Sequence, residues 1–204
     1  MDETRPIKLI LLGSVNVGKT SCIGCYVNGQ FSPYTQHTMG ARFDDQILEI
    51  DGVKHHFQIW DTAGQDTFIS TTALYCRDAK GAAILFDLTN RQSFLDVPVW
   101  VETIYNTTPD IPIVLMGNKC DLLEQTAPCA TINEIYELAD QLHCQYYQVS
   151  AKTGNQVEDA INFLAIQAVL HSQNQPSTDD SKSVNIDPNA QAQSQTSNND
   201  ENCC

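Results

Sequence analysis

The stretch Gly13-Ser14-Val15-Asn16-Val17-Gly18-Lys19-Thr20 follows the apolar run Ile7-Lys8-Leu9-Ile10-Leu11-Leu12 and opens a helical pattern from Ser21 to about Asn28. It fits G-x-x-x-x-G-K-[ST], and a strand, a glycine loop and a helix start in that order admit few folds. Two glycines let the backbone curl until successive amide N–H groups point into one concavity, and the helix start adds the positive end of its dipole. Such a loop suits a polyphosphate. Lys19 would reach the terminal phosphates as a point charge, and the Thr20 hydroxyl is a hard oxygen suited to Mg²⁺. The pattern names a nucleoside triphosphate without naming its base.

A chain of 204 residues has room for one domain, residues 1–170, and a remainder beyond it. Lys and Arg total 11 against 25 Asp and Glu, a balance that argues against a general nucleic-acid binder. The 8 cysteines, with no apolar leader and no apolar run near ~20 residues, point to a reduced, cytosolic, non-spanning protein without disulfides. Cys22 and Cys25 form a C-x-x-C that lacks the second pair of a zinc site and reads as helix packing.

Further along, Gly29-Gln30-Phe31-Ser32-Pro33 stops the first helix. Phe43 to Ile50 and Val53 to Trp60 read as strands joined by the hairpin signal Asp51-Gly52. The adjacent His55 and His56 would face opposite sides as solvated strand residues. Gly81 to Asp87, apolar as far as Phe86, and Ile111 to Met116 read as buried parallel strands, with a helix between them from Ser93 to Tyr105. Thr131-Ile132-Asn133-Glu134 has capping-box spacing and predicts a helix to about Leu142, followed by a strand from Tyr146 to Ser150. Asn155 to Leu170 is an amphipathic closing helix. The expected fold is α/β: a P-loop three-layer sandwich, its six-stranded sheet mostly parallel with one antiparallel edge strand and helices on both faces. Residues 171–204 have little to bury and read as a disordered acidic tether, with Asp179, Asp180, Asp187, Asp200 and Glu201 against Lys182.

Two strand ends address the base. Asp121 of Asn118-Lys119-Cys120-Asp121 can accept two hydrogen bonds, which matches the N1–H and N2 amino donors of guanine and mismatches adenine. Asn118 can brace the loop and the stem of Lys119 can lie along the base. Ser150-Ala151-Lys152 offers a backbone N–H for the guanine carbonyl and a second stem for the other face. Asp61-Thr62-Ala63-Gly64-Gln65 also stands at a strand end, on the edge where ligands sit in an open α/β sheet.

With these motifs in this order, the chain from about Ile7 to Leu170 resembles a Ras-superfamily small GTPase and, within that group, the Rab family. Trp60 before Asp61, Tyr75 with Arg77-Asp78-Ala79, Phe86-Asp87-Leu88-Thr89-Asn90 with Ser93-Phe94, and the Cys203-Cys204 ending carry the Rab likeness. The resemblance implies a GTP-hydrolysing switch with a slow intrinsic rate that recruits effectors for vesicle-mediated membrane trafficking. The alternative is a guanine-nucleotide-dependent binding module that hardly hydrolyses, for which Val15 leaves room.

By the same resemblance Phe31 lies edge-on to the base, and Thr38 meets Mg²⁺ and the γ-phosphate only with GTP bound. Asp61 holds Mg²⁺ through water, Gly64 donates its N–H to the γ-phosphate and Gln65 orients the attacking water. Phe43, Trp60 and Tyr75 form the hydrophobic triad shown to effectors. Cys203 and Cys204 carry two prenyl groups that attach a monomer to the cytoplasmic face of intracellular membranes, from which it cycles to the cytosol. An exchange factor, a GTPase-activating protein and a prenyl-binding escort complete the implied partners. Rab proteins usually read Thr-Ile-Gly-x-Asp-Phe and follow the glutamine with Glu-Arg-Phe. This chain has Thr38-Met39-Gly40-Ala41-Arg42-Phe43 and Asp66-Thr67-Phe68, both on the surface that regulators read.

Overall fold

The computed structural model describes residues 5–34, 38–64 and 69–174, with the side chains of residues 69–71 left out. Strand β1 (Ile7–Leu12) runs into the glycine loop and helix α1 (Lys19–Asn28), which Gly29 ends in a left-handed conformation with its N–H on the Cys25 carbonyl. β2 (Ala41–Ile50) and β3 (Val53–Thr62) form the expected hairpin. Its Asp51 and Gly52 have φ of 51° and 78°, the positive pair that matches the twist of two antiparallel strands. Then come α2 (Ile69–Cys76), β4 (Gly81–Asp87), α3 (Arg91–Leu95), α4 (Val97–Thr107), β5 (Ile113–Asn118), α5 (Ile132–Gln141), β6 (Gln145–Gln148) and α6 (Val157–Asn174). The sheet order is β2-β3-β1-β4-β5-β6, and only the β2–β3 pair is antiparallel. The expected α/β sheet with one antiparallel edge strand is the fold observed.

Side chains alternate across each strand, so β1 serves two cores. Leu9 and Leu11 pack with Cys22 of α1 and with Leu164 and Ala168 of α6. Ile10 and Leu12 pack on the opposite face with Val97, Trp100 and Ile104 of α4 and Ile135 of α5. β4, between β1 and β5, is buried at all 7 positions, which explains its unbroken apolar run. The six described cysteines are free thiols, and burial pushes the Cys22 thiol well above its ordinary range, in keeping with a packing role.

Several boundaries differ from expectation for local reasons. The single helix expected over Ser93 to Tyr105 is two, α3 and α4, because Pro98 in the first turn of α4 has no N–H to give and cannot continue the helix ahead of it. β3 extends past Trp60, since Asp61 and Thr62 pair with Arg42 and Ala41. β6 stops at Gln148, after which the Val149 N–H turns to the Gly117 carbonyl. α2 had no sequence signal: Ile-Ser-Thr-Thr-Ala-Leu-Tyr-Cys is poor in strong helix formers. The capping box of α5 forms as its spacing predicts, with the Thr131 hydroxyl accepting from the Glu134 N–H and Glu134 accepting from the Thr131 N–H. α6 continues to Asn174, so the first residues of the expected tail are helical, and the rest, with Cys203 and Cys204, lies outside the described residues.

Candidate nucleotide-binding site

The segments that follow β1, β3, β5 and β6 meet around a cavity of about 410 Å³. In a mostly parallel sheet these C-terminal strand ends share one edge, which brings motifs far apart in sequence together. Val15, Asn16, Gly18, Lys19, Thr20 and Ser21 line one end, with Thr38 and Gly64 beside them. Phe31, Asn118, Lys119, Asp121, Ala151 and Lys152 also contribute to the lining. Gly13, Ser14, Val17, Asp61 and Ser150 stand behind this surface and hold it. Thr62, which the sequence showed only as a neighbour of Asp61, lines it as well, and so does Leu122, which neither residue type nor spacing marked.

The phosphate loop owes its shape to two glycines. Gly13 and Gly18 have φ of 143° and 98°, and a Cβ would strike the Leu85 carbonyl at the first and the Asn118 amide at the second. Asn16 takes φ of 63°, which asparagine tolerates. Lys19 is buried, and its Nζ donates to the carbonyls of Gly13 at 2.6 Å and Ser14 at 3.0 Å. Burial pushes its pKa down to about 8, against the opposing pull of Asp61. A buried ammonium held by neutral carbonyls favours an incoming anion.

Beside Lys19 lies a cluster of hard oxygens. Thr20 Oγ1 is 2.8 Å from Thr38 Oγ1 and donates to Asp61 Oδ2 at 2.7 Å, and Thr38 Oγ1 donates to that same oxygen at 3.2 Å. Asp61 is fully buried and its Oδ1 has no hydrogen-bond partner. An orphaned carboxylate oxygen beside two hydroxyls fits a small divalent cation with oxygen preference, so these residues suit Mg²⁺.

At the other end, Ser150 Oγ donates to Asp121 Oδ1 at 2.6 Å, and Lys152 Nζ lies 3.8 Å from Asp121 Oδ2. The first bond fixes the carboxylate plane. Asn118, almost fully buried, donates through Nδ2 to the Val17 carbonyl at 2.8 Å and accepts the Ala151 N–H on Oδ1 at 3.0 Å. It ties the glycine loop after β1 to the loops after β5 and β6. Of the backbone N–H groups that Ser150-Ala151-Lys152 was expected to offer to the guanine carbonyl, that of Ala151 is held by Asn118 in this structure. Lys119 takes φ of 66° and anchors its Nζ on Asp87 Oδ2 at 2.7 Å, a partner that the sequence reading did not identify.

Two further features went unread in the sequence. Ser14 Oγ donates to Asp96 Oδ2 at 2.8 Å and accepts from Trp100 Nε1 at 3.3 Å, which couples the phosphate loop to the break between α3 and α4. Arg42 Nε stands 3.4 Å from Asp61 Oδ2. Phe43 stacks on Trp60 with ring centroids 5.1 Å apart, and Trp60 lies 6.4 Å from Tyr75. Gln65 falls outside the described residues.

Comparison with known proteins agrees with this geometry. The family model described as "Ras family" matches residues 8–170. The chain is 38% identical over 154 residues to a probable Ras-related protein Rab-4A of Echinococcus multilocularis, covering 75% of this chain and 69% of that protein. Against the Ras-related protein Rab-4 of Dictyostelium discoideum it is 35% identical over 154 residues, 75% and 74% of the two chains. Against human Ras-related protein Rab-27B it is 40% identical over 174 residues, 78% and 77%. The matched region begins within β1 and ends in α6, so it contains every loop that lines the cavity, and the chain belongs to the Ras family of small GTPases, in its Rab branch.

Proposed function

We propose that this Rab-type GTPase of vesicle trafficking is a slowly hydrolysing switch that holds GDP or GTP with Mg²⁺ in the cavity and recruits effectors in the GTP state. One observation carries the reading: buried Lys19, the Thr20–Thr38–Asp61 oxygens and the Ser150-braced Asp121 adjoin a single cavity, which supplies in turn a phosphate, a metal and a base site. The loop amides and Lys19 bind the phosphates, and Asp121 accepts from guanine N1–H and N2. Lys119, Lys152 and Phe31 flank the base. Thr20, Thr38 and Asp61 would hold Mg²⁺, which when bound supplies positive charge to the phosphate oxygens. Gly64 donates its N–H toward the γ-phosphate, and Gln65 orients water.

Val15 bears on the rate. The residue is 43% exposed within the cavity lining. Gly64 lies so close to the loop that a Cβ there would come within 2.6 Å of both the Gly13 carbonyl and Ser14, the residue before Val15. A branched side chain at that point narrows the space for Gln65 or an incoming arginine. Val15→Gly is therefore expected to raise single-turnover hydrolysis severalfold. Phosphate release from GTP, with ATP as control, checks both statements: equal turnover of ATP refutes the guanine site, and an unchanged rate in the variant refutes the steric brake. Complete absence of hydrolysis in both would favour the binding-module reading.

Membrane attachment rests on Cys203 and Cys204, which we assign as prenylated and handled by a lipid-binding escort. One chain gives only marginal, reversible binding, and the acidic residues near these cysteines would be repelled by an anionic leaflet. Both lipids are needed on the cytoplasmic face. Fractionation of cells is expected to find Cys203→Ser and Cys204→Ser each largely cytosolic; full membrane retention of both single variants contradicts the two-chain requirement. No helix of the described residues is long and apolar enough to cross a membrane.

A further inference from the structure

We propose that Arg42 is a resident counter-cation for Asp61 that competes with Mg²⁺ and so sets how readily the protein releases metal and nucleotide. The inference rests on the Mg²⁺ site proposed above. Arg42 and Asp61 are directly opposite in the antiparallel β2–β3 register, which puts both side chains on one face of the sheet. The next pair, Phe43 and Trp60, stacks on the other face. Arg42 Nε lies 3.4 Å from Asp61 Oδ2, the oxygen that also accepts from Thr20 and Thr38. The carboxylate side chain is 0% exposed and the arginine side chain 61%, so the anion is the fixed partner and the cation the movable one. Lys19, the other nearby cation, has its Nζ engaged by the Gly13 and Ser14 carbonyls.

Two effects then act in the same direction. A buried carboxylate that loses its metal is left unpaired in a low dielectric, and that cost ordinarily opposes metal loss. Arg42 lowers it by supplying a charge in place of the metal, and its contact with Asp61 holds the far end of the segment that carries Thr38. When Mg²⁺ is present, like charges repel and the guanidinium must turn out to solvent, which its exposure makes easy. Retention of Mg²⁺ weakens on both counts.

The test follows release of a fluorescent GDP analogue from the full chain against buffered free Mg²⁺, for wild type, R42Q and R42K, with melting curves of all three. In R42Q the Mg²⁺ concentration that half-suppresses release is expected to fall roughly two- to fivefold, the upper part of the range for a partly exposed ion pair. R42K, which keeps the charge, should stay near wild type. An R42Q half-point equal to or above that of wild type overturns the proposal, and so does an R42K half-point that follows R42Q. Release from wild type that ignores Mg²⁺ altogether overturns the metal site itself, an outcome distinct from an equal response in wild type and R42Q.

Discussion

Asp121→Asn is expected to turn a guanine site into one that prefers xanthine. Asp121 Oδ1 is held by Ser150 Oγ at 2.6 Å, so the side chain has little freedom to reorient when an amide replaces the carboxylate. The amide oxygen can still accept from Ser150, which leaves an NH₂ where the second acceptor stood. Guanine presents an amino donor there, and two donors face each other; xanthine presents a carbonyl and pairs. Breaking a desolvated, hydrogen-bonded contact to a charged group costs about 3–5 kcal/mol, or roughly two to four orders of magnitude in GDP affinity. Lys152, 3.8 Å from Oδ2, loses its anionic neighbour as well. Competition of GDP and xanthosine diphosphate against a fluorescent nucleotide measures the change, and an unaltered preference for GDP contradicts the role given to Asp121.

Asn118→Ala should be the most destabilising single change in the site. Its amide joins the Val17 carbonyl on one side to the Ala151 N–H on the other, at 2.8 and 3.0 Å, and is 1% exposed. Truncation strands two buried backbone groups, each at a cost of about 1–3 kcal/mol. The total of about 2–6 kcal/mol corresponds to a fall of roughly 4–24 °C in melting temperature for a domain of this size. Because the same amide joins phosphate and base loops, nucleotide affinity falls along with stability. A melting temperature within a degree of wild type would show that the brace carries no load. Gly18→Ala is expected to act through the same contact, since its Cβ would displace the Asn118 amide.

What the sequence revealed, and what it hid, follows from the range of the interactions. Strand ends were legible because the apolar runs before Gly13, Asp87 and Asn118 stop where polar residues begin, and an α/β sheet collects those ends on one edge. The α5 start was legible because Thr131 and Glu134 cap each other locally. Asp96 was not, because its importance arises from Ser14, far earlier in the chain, and from a helix break that Pro98 imposes. The Lys119–Asp87 pair was hidden for a similar reason: it joins the ends of two parallel strands. Arg42 stood out in the sequence as a cation where relatives carry an acid, yet only the β2–β3 register shows that it faces Asp61.

Exchange of GDP for GTP in the cavity is expected to reshape the segments around Thr38 and Gly64. Amide hydrogen exchange on the full chain, loaded with Mg²⁺ and either GDP or a non-hydrolysable GTP analogue, tests this most directly. Thr38 and Gly64 are assigned to a γ-phosphate that GDP lacks, so backbone amides from Gln36 to Phe43 and from Gly64 to Tyr75 should exchange more slowly with the GTP analogue while those of β4 and β5 stay unchanged. Identical exchange across both segments in the two nucleotide states would contradict it.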